Sequence, residues 1–347
     1  MSRLLSTVSA ITFIAGTYAS ADVPKVVADI APIHSLVSRV MDGVGEPKLI
    51  VPNETSPHDY RLRPADAEAI EDANLVFWMG EGLTPWMERA LEALSNDTDI
   101  IEFLALEEST LLSFREGALF EAHDHSDHDD HDDHDDHDDH DDHDDHDDHD
   151  DHDDHDKDHD DHDDHDDHDD HAGHDHGEYD PHAWLSTNNA KTWLNVIAAR
   201  LSSIDPDNAG AYFANASEAR GEMDALDVEI NAMLDPVRGG KFVVFHDAYQ
   251  YFETVYDFPA SGAISLGDAS DPSAARVAEI ANRIKSENIA CVLSEPQFNA
   301  GLVKTVMGGT DATTEVIDPL GFGIEPGKSL YPKLIRAMAQ SLVNCLK

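Results

Sequence analysis

The sequence predicts an α/β fold with two lobes, each a mostly parallel sheet flanked by helices, and one long helix between them. Apolar runs alternate with amphipathic segments near the start of the chain, and the same alternation returns after residue 240. This rhythm is typical of parallel-sheet proteins. Between the two sets, residues 206–234 carry a helical spacing and no strand pattern. Two lobes joined in this way leave a cleft between them.

The first set contains five predicted elements in alternation. The apolar run Lys25–Ile30 predicts a strand, and Ser35–Met41 predicts a helix. Lys48–Val51 and Leu75–Met79 predict two further strands, with a helix at Arg63–Ala73 between them. Parallel strands need such crossover helices, so the order of elements fits a parallel sheet.

The segment Pro206–Leu234 is predicted to be one continuous helix. Its apolar residues recur at helical spacing: Phe213, Ala216, Met223, Leu226, Ile230 and Leu234. Pro206 at its start and Pro236 after its end are typical boundary residues. At about 1.5 Å per residue the helix would span roughly 40 Å, long enough to join two lobes.

The second set repeats the alternation of the first. The predicted strands are Lys241–Phe245, Pro259–Ser265, Ile289–Ser294 and Thr314–Ile317. The predicted helices are Ser273–Ser286, Ala300–Met307 and Ser329–Cys345. Ligands of open α/β sheets bind beyond the carboxyl ends of strands, so residues that directly follow strands are the best candidates for a site.

The first 21 residues are predicted to be a cleaved signal peptide that directs the chain to the periplasm. Arg3 precedes the apolar stretch Leu4–Ile14, and Ala19-Ser20-Ala21 is an A-x-A cleavage pattern. The stretch is too short to span a bilayer, although a retained anchor is the alternative. The rest divides into an N-terminal lobe at 22–205, a connecting helix at 206–235 and a C-terminal lobe at 236–347.

Export to the periplasm also bears on the redox state of the two cysteines. Cys291 and Cys345 are the only cysteines, and an even number in an oxidising compartment predicts one disulfide. The bond would close a loop of about 55 residues, worth about 4 kcal/mol in the chain-entropy model. Two buried free thiols are the alternative.

Residues 121–178 form a His/Asp-rich insertion in the first lobe. Its histidines recur mostly every third residue, with further ones at both ends; they include His123, His125, His128, His131, His171, His174 and His176. Imidazole and carboxylate without thiolate favour Zn²⁺. A period of three fits neither helix nor strand, and polyproline II would set successive histidines roughly 9 Å apart. We therefore expect many weak sites; a solvated acidic linker enlarged by repeat slippage is the alternative.

The charge distribution argues against nucleic acid as a partner. Of 73 acidic residues, 33 lie between Glu121 and Glu178, against one base, Lys157. The remainder of the chain still carries a net charge of −19. Phosphate binding needs basic patches, and the sequence has no run of five or more Lys or Arg.

Three histidines and one aspartate follow predicted strands or the insertion. His58 lies in the loop after the second strand, His182 follows the insertion, and His246 follows the run Phe242–Phe245. Asp318 ends the last strand. Three imidazoles with a carboxylate have the ligand types of a tetrahedral zinc site. Asp59, Asp180 and Asp247 stand near the histidines in sequence and could fix the ring tautomers, each through the other ring nitrogen.

Five short motifs connect these residues to a known family. They are Ser56-Pro-His58-Asp-Tyr60, Asp180-Pro-His182-Ala-Trp184, Phe245-His246-Asp-Ala-Tyr249, Ser294-Glu295-Pro-Gln297 and Asp318-Pro-Leu-Gly321. With the insertion, the signal peptide and the late cysteines, the mature chain resembles the periplasmic metal-binding proteins of ABC-type zinc importers, the ZnuA-type branch. The motifs stand in the order in which that family carries them.

The resemblance implies a C-clamp fold with a rigid connecting helix and zinc held by His58, His182 and His246. A carboxylate in place of the third histidine would indicate a manganese-type member, so His246 argues for zinc. Pro57 stands where some zinc members carry Glu, which leaves water or Asp318 as the fourth ligand. Glu295 joins the three aspartates as a residue that supports the ligands. Delivery to a membrane permease is implied.

Capture and release, with the insertion as an accessory zinc collector, is the function that the sequence favours, and we expect a monomer. A zinc hydrolase would need a general base such as Glu295 or Asp318, and no HExxH or other hydrolase signature is present. We therefore do not expect an enzyme. An extracellular zinc buffer, a metal-dependent adhesin and a manganese-type binding protein remain as alternatives.

Overall fold

The described part of the chain is built on two parallel sheets. The computed structural model describes residues 23–95, 98–115, 120, 179–265, 267, 272–297 and 300–347. Within these ranges, eight strands form two four-stranded sheets, and all pairings between neighbouring strands are parallel. The predicted signal peptide and the His/Asp-rich insertion lie outside the described residues. The predicted α/β class with two sheets is confirmed.

The first sheet has the strand order β2-β1-β3-β4. Its strands are β1 (Val26–Ala28), β2 (Lys48–Leu49), β3 (Leu75–Trp78) and β4 (Asp99–Glu102). Its helices are α1 (Ala31–Val40), α2 (Pro64–Glu71) and α3 (Pro85–Leu94). All residues of β1 and β3 are buried, as expected for inner strands of a sheet covered on both faces.

Two long helices follow, α4 (Thr187–Ile204) and α5 (Ala209–Leu234). The second is the predicted long helix, and it begins after a single 3-10 turn at Pro206–Asn208. Its buried stripe is Tyr212, Ala216, Ala219, Met223, Leu226, Ile230 and Leu234. Phe213 was expected in this stripe and is 51% exposed, because its neighbour Tyr212 occupies the inner position. The stripe packs against α1, α4 and the last helix of the chain.

The second sheet has the order β6-β5-β7-β8, which repeats the topology of the first. Its strands are β5 (Phe242–His246), β6 (Ala263–Ser265), β7 (Cys291–Ser294) and β8 (Thr313–Val316). Its helices are α6 (Gln250–Tyr256), α7 (Ala274–Glu287), α8 (Ala300–Val306) and α9 (Leu330–Leu346). None of the helices in the described ranges is both long enough and apolar enough to cross a membrane.

The predicted disulfide is confirmed. Cys291 at the start of β7 is bonded to Cys345 in the last turn of α9. Both residues are buried. The bond therefore fixes the C-terminal helix to an inner strand of the second sheet.

In each sheet the strand order reverses between the two inner strands, and such switch points are where α/β proteins bind ligands. In the first sheet the position beyond β1 is filled by Asp29, which is fully buried. Its carboxylate accepts the backbone N–H of Ile30 at 2.7 Å and of Met79 at 2.8 Å. Burial raises the pKa of Asp29 to about 7. This switch point is thus closed by the protein's own carboxylate.

Candidate metal centre

The switch point of the second sheet carries a histidine and a glutamate. His246 is the last residue of β5 and is 2% exposed, and Glu295 directly follows β7. The ring Nδ1 of His246 donates to Oε1 of Glu295 at 2.6 Å. An ionised carboxylate only accepts hydrogen bonds, so the hydrogen lies on Nδ1 and the lone pair on Nε2. The ring therefore presents Nε2 as a ligand atom.

A second histidine is oriented in the same way by a carboxylate close to it in sequence. Asp180 Oδ1 accepts both the backbone N–H and the ring Nδ1 of His182, at 2.9 and 2.8 Å. His182 precedes one 3-10 turn, Ala183–Leu185. Trp184 in this turn lies with its ring 5.2 Å from the His182 ring. His182 thus also directs Nε2 away from its carboxylate.

The two Nε2 atoms lie 3.4 Å apart. Two ligands at about 2.0–2.1 Å from a tetrahedral zinc ion have nitrogens about 3.3–3.4 Å apart, so the observed separation fits one shared ion. The ring centroids, at 5.2 Å, agree with the same geometry. Two lone pairs directed at each other are satisfied by a cation between them. The pair of His182 and His246 is therefore suited to hold a metal ion.

The third histidine, His58, lies beside this pair on a loop from the first sheet. It lies in the loop after β2, is half-buried, and has its ring centroid 6.0 Å from that of His182. Within the described ranges no three His, Cys, Asp or Glu side chains stand in full coordinating geometry, and the longer separation places the shortfall at His58. His58 therefore lies beside the pair of His182 and His246 without completing a three-residue coordination geometry in this structure.

The three histidines line one small cavity of about 10 Å³, the space of a single water-sized sphere. The lining residues are Ser56, Pro57, His58, His182, Trp184, His246, Glu295, Gln297, Pro319 and Leu320. Prolines, a leucine and a tryptophan make up much of this wall. The cavity is thus matched to a single ion rather than to an organic molecule.

Asp318 was expected as a fourth ligand, and the structure places it outside the cavity lining. One carboxylate oxygen accepts the backbone N–H of Leu320 at 3.1 Å and the side-chain amide of Gln297 at 3.3 Å. The other accepts the backbone N–H of Phe322. Burial raises the pKa of Asp318, and these hydrogen bonds work in the opposite direction. The carboxylate thus bonds within its own loop and to Gln297 in this structure, and its place as the fourth ligand, with water as the alternative, stays a prediction.

The four carboxylates expected beside the rings divide into two groups. Asp180 and Glu295 bond to ring nitrogens, as described above. Asp247 instead bonds to Arg115, with Nε to Oδ2 at 3.0 Å. The expectation that Asp247 fixes the tautomer of a histidine ring is therefore wrong. Asp59 is exposed, whereas Asp180 and Glu295 are buried, and its role beside His58 stays a prediction.

Sequence reasoning missed the residues that hold the two ends of the insertion together. Ser113 and Tyr179 form an isolated antiparallel bridge. The hydroxyl of Tyr251 in α6 accepts the N–H of Leu112 at 2.9 Å and donates to the carbonyl of Asp180 at 2.8 Å. We call residues 112–115 with 179 and 180 the insertion foot. In the sequence, the insertion foot was indicated only by the fact that segments with the composition of folded protein flank the insertion on both sides.

Arg115 anchors the insertion foot to the second sheet. Its guanidinium bonds to Asp247 and to Glu253, the latter at 2.7 Å, and it lies 3.6 Å from the ring centroid of Phe120. The three charged side chains are 16%, 6% and 5% exposed. Burial lowers the pKa of Arg115, but its bonds to the two carboxylates outweigh burial and raise it. This is a buried ion cluster next to His246.

The fold and the cavity together define a two-sheet α/β binding protein with a site for one small cation. The family model for the periplasmic component A of the zinc-uptake complex matches residues 26–345. The chain therefore belongs to this family, whose members are transport binding proteins rather than enzymes. The resemblance noted in the motifs is confirmed.

Individual relatives agree with this assignment. The high-affinity zinc uptake system protein ZnuA of Brucella abortus (strain 2308) is 46% identical over 349 residues, covering 100% of this chain and 99% of the relative. The protein of the same name from Paracoccus denitrificans (strain Pd 1222) is 44% identical, covering 94% and 93%. A crystal structure of ZnuA, 21% identical, covers 94% of this chain and 100% of its own, with a TM-score of 0.67. That structure shows a shared fold.

Proposed function

We propose that this chain captures one Zn²⁺ ion in the periplasm and delivers it to the membrane permease of an ABC importer. The observation that carries the proposal is the pair of oriented Nε2 atoms, 3.4 Å apart, on His182 and His246. The zinc-uptake family to which the chain belongs supports the choice of metal. The proposed location follows from the same family and from the signal peptide pattern at residues 1–21.

In this proposal His58, His182 and His246 bind the ion, and Asp318 or a water molecule takes the fourth position. Three imidazoles suit Zn²⁺ better than Mn²⁺, which favours carboxylate oxygens. Asp180 and Glu295 hold two of the rings with Nε2 directed to the ion. We further propose that the chain acts as a monomer, because the cavity is built from one chain.

The His/Asp-rich insertion is proposed to collect zinc weakly and to raise its concentration near the cavity. His182 lies only six residues after His176, a span of at most about 20 Å. A tethered collector raises the effective concentration of zinc at the tight site without any new contact. The histidines at 123, 125, 128, 131, 171, 174 and 176 would act in this way.

A deletion separates the two roles. Protein that lacks residues 126–171 is expected to keep one tight equivalent of Zn²⁺ in a titration against a competing chelator. Most of the weak equivalents should disappear, because His123, His125, His174 and His176 are the only insertion histidines that remain, and loading from dilute zinc should become slower. Complete loss of tight binding in the deletion variant would contradict the proposed site and would favour a metal buffer based on the repeat.

Replacement Glu295→Gln is expected to weaken zinc binding by about 10- to 100-fold, the usual cost of losing a partner that orients a ligand. The amide has no charge to strengthen the Nδ1–H bond and to raise the basicity of Nε2. Competition with a chelator measures the change. Glu229→Gln, which removes the charge of an exposed partner of Arg336, is the control and should leave affinity unchanged. Equal affinities of the two variants would argue against a role for Glu295.

A further inference from the structure

Two loops from different sheets contribute to the walls of the cavity. Residues 50–60, which we call the His58 loop, follow β2 and contribute Ser56, Pro57 and His58. Residues 318–327, the Asp318 loop, follow β8 and contribute Pro319 and Leu320. An ion held by His58 and by the other two histidines can leave when these walls separate. The contact between the two loops is therefore expected to affect the rate at which the ion leaves the cavity.

Asn53 joins the two loops directly. Its side chain is buried, with the residue 3% exposed, and Nδ2 donates to the carbonyl of Gly321 and to that of Ile324, the latter at 2.8 Å. Carbonyl oxygens only accept hydrogen bonds, so the amide nitrogen must face them. Both hydrogens of the amide are thus used across the gap between the sheets, five residues before His58.

The Asp318 loop is held in its conformation by hydrogen bonds of its own. The Asp318 carboxylate accepts three hydrogen bonds, two of them from backbone N–H groups inside the same loop. Gly321 has a φ of +86°, and a Cβ there would lie 3.3 Å from Leu330. Its backbone shape is therefore available to glycine and costly for other residues. The two carbonyls that accept from Asn53 therefore lie in a loop whose shape is supported by its own hydrogen bonds.

The other two histidines are secured from within the protein. His182 and His246 are 5% and 2% exposed and are bonded to Asp180 and Glu295. His58 is half-buried and lies on a loop without regular structure. The His58 loop therefore carries its histidine on irregular backbone, and besides Asn53 it is held by Trp86, whose ring N–H donates to the carbonyl of Pro57 at 2.8 Å.

We propose that Asn53 is a positioning residue that holds the His58 loop closed over the cavity and thereby sets the rate at which captured zinc dissociates. The inference rests on the proposed function. Loss of the amide leaves two carbonyls of the Asp318 loop without this donor and removes the side-chain link between the walls. Every state in which the two loops are in contact loses these hydrogen bonds, whereas a state with the loops apart has none to lose. The main effect should therefore fall on dissociation rather than on association.

The test compares three variants with the unaltered protein, insertion included. Zn²⁺-loaded protein is mixed with excess chelator, and the slow phase of zinc release is followed by stopped flow. Asn53→Ala and the isosteric Asn53→Asp, which replaces the donor with an acceptor, should each accelerate the slow phase by about tenfold or more. The association rate should change by less than about threefold.

Asn215→Ala is the matched control. Its amide also donates to two backbone carbonyls, of Val40 and Asp42, both at 2.9 Å, but it joins α5 to the end of α1. Thermal unfolding without zinc shows whether the Asn53 and Asn215 variants are equally folded. Comparable stability with faster release only in the Asn53 variants supports the proposal. Release from both Asn53 variants at the unaltered rate, or at the rate of Asn215→Ala, would overturn it.

Failure of the proposed function gives a different result. In that case the unaltered protein itself shows no slow phase, and both proposals fall together. A slow phase in the unaltered protein that Asn53 replacements do not change leaves zinc capture standing and removes the role of Asn53. If Asn53→Ala does not fold, Asn53→Asp, which has the same shape, decides between these results.

Discussion

Replacement of His246 by alanine is expected to weaken tight zinc binding by more than about 100-fold. Loss of a partner that only orients a ligand typically costs 10- to 100-fold, and loss of the ligand itself costs more. His246 supplies one of the two Nε2 atoms that lie 3.4 Å apart, so its removal leaves His182 without the second half of the pair. Titration of Zn²⁺ against a chelator, in protein that lacks residues 126–171, measures the change with most of the insertion's histidines removed.

His34→Ala is the matched control for this variant. His34 lies in α1, and its Nε2 is bonded to the carbonyl of Pro47 at 3.0 Å, away from the cavity lining. It tests whether loss of any histidine lowers the affinity. The control should bind zinc as tightly as the unaltered protein. Tight binding retained by the His246 variant would mean that the ion is held elsewhere in the chain.

Replacement of Arg115 by methionine is expected to lower the free energy of unfolding by about 3–5 kcal/mol, the usual cost of removing one member of a buried ion cluster. Asp247 and Glu253 would be left as two buried carboxylates without their cation. The methionine side chain retains most of the apolar volume, so the loss reports on charge rather than on packing. Urea denaturation of the zinc-free protein measures the effect.

The exposed ion pair between Lys328 and Asp42 provides the comparison. Its members are 51% and 48% exposed, and such pairs contribute at most about 1 kcal/mol. Lys328→Met should therefore change stability little. Similar small losses in the two variants would indicate that solvent reaches the Arg115 cluster.

The inner strands and the positions of the candidate ligand histidines could be predicted because their signals are local. The run Leu75–Trp78 is apolar throughout, and the run Phe242–His246 is apolar up to its last residue, the histidine. Such runs are typical of inner strands of parallel sheets. The rule that ligands bind beyond strand ends then selects His246 without further information. The disulfide followed from the number of cysteines and the compartment.

Four elements were not predicted, namely α3, β4, α4 and α6. The first turns of α4 bury the polar residues Thr187 and Asn189, which bond to Asp227 and Thr110 and interrupt the apolar pattern. Helix α6 has only seven residues, fewer than two full periods of a recognisable stripe. In β4 a single residue, Ile101, is buried. These elements depend on tertiary contacts that a local pattern does not contain.

The partners of the histidine rings show the same limit. Asp247 is next to His246 in sequence, but successive side chains of a strand point to opposite faces, so it meets Arg115 instead. Glu295 is 49 residues away and reaches the ring because β5 and β7 are neighbours. Asp180, two residues from His182, was within reach of local reasoning. Strand pairing therefore decides which carboxylate orients a ring.

The insertion foot has a consequence for how this protein can change over generations. Tyr251 bonds both flanks of the insertion, so the folded chain fixes the distance between its ends whatever number of residues lies between them. The closure entropy of a loop grows slowly, by about 0.6 kcal/mol for each doubling of its length. If the insertion collects zinc as proposed, a tract that gains or loses His-Asp-Asp units by replication errors would change the number of weak zinc sites without altering the residues that join its two flanks. The number of His-Asp-Asp units can therefore change at little cost in folding free energy, and selection under zinc scarcity can act on that number.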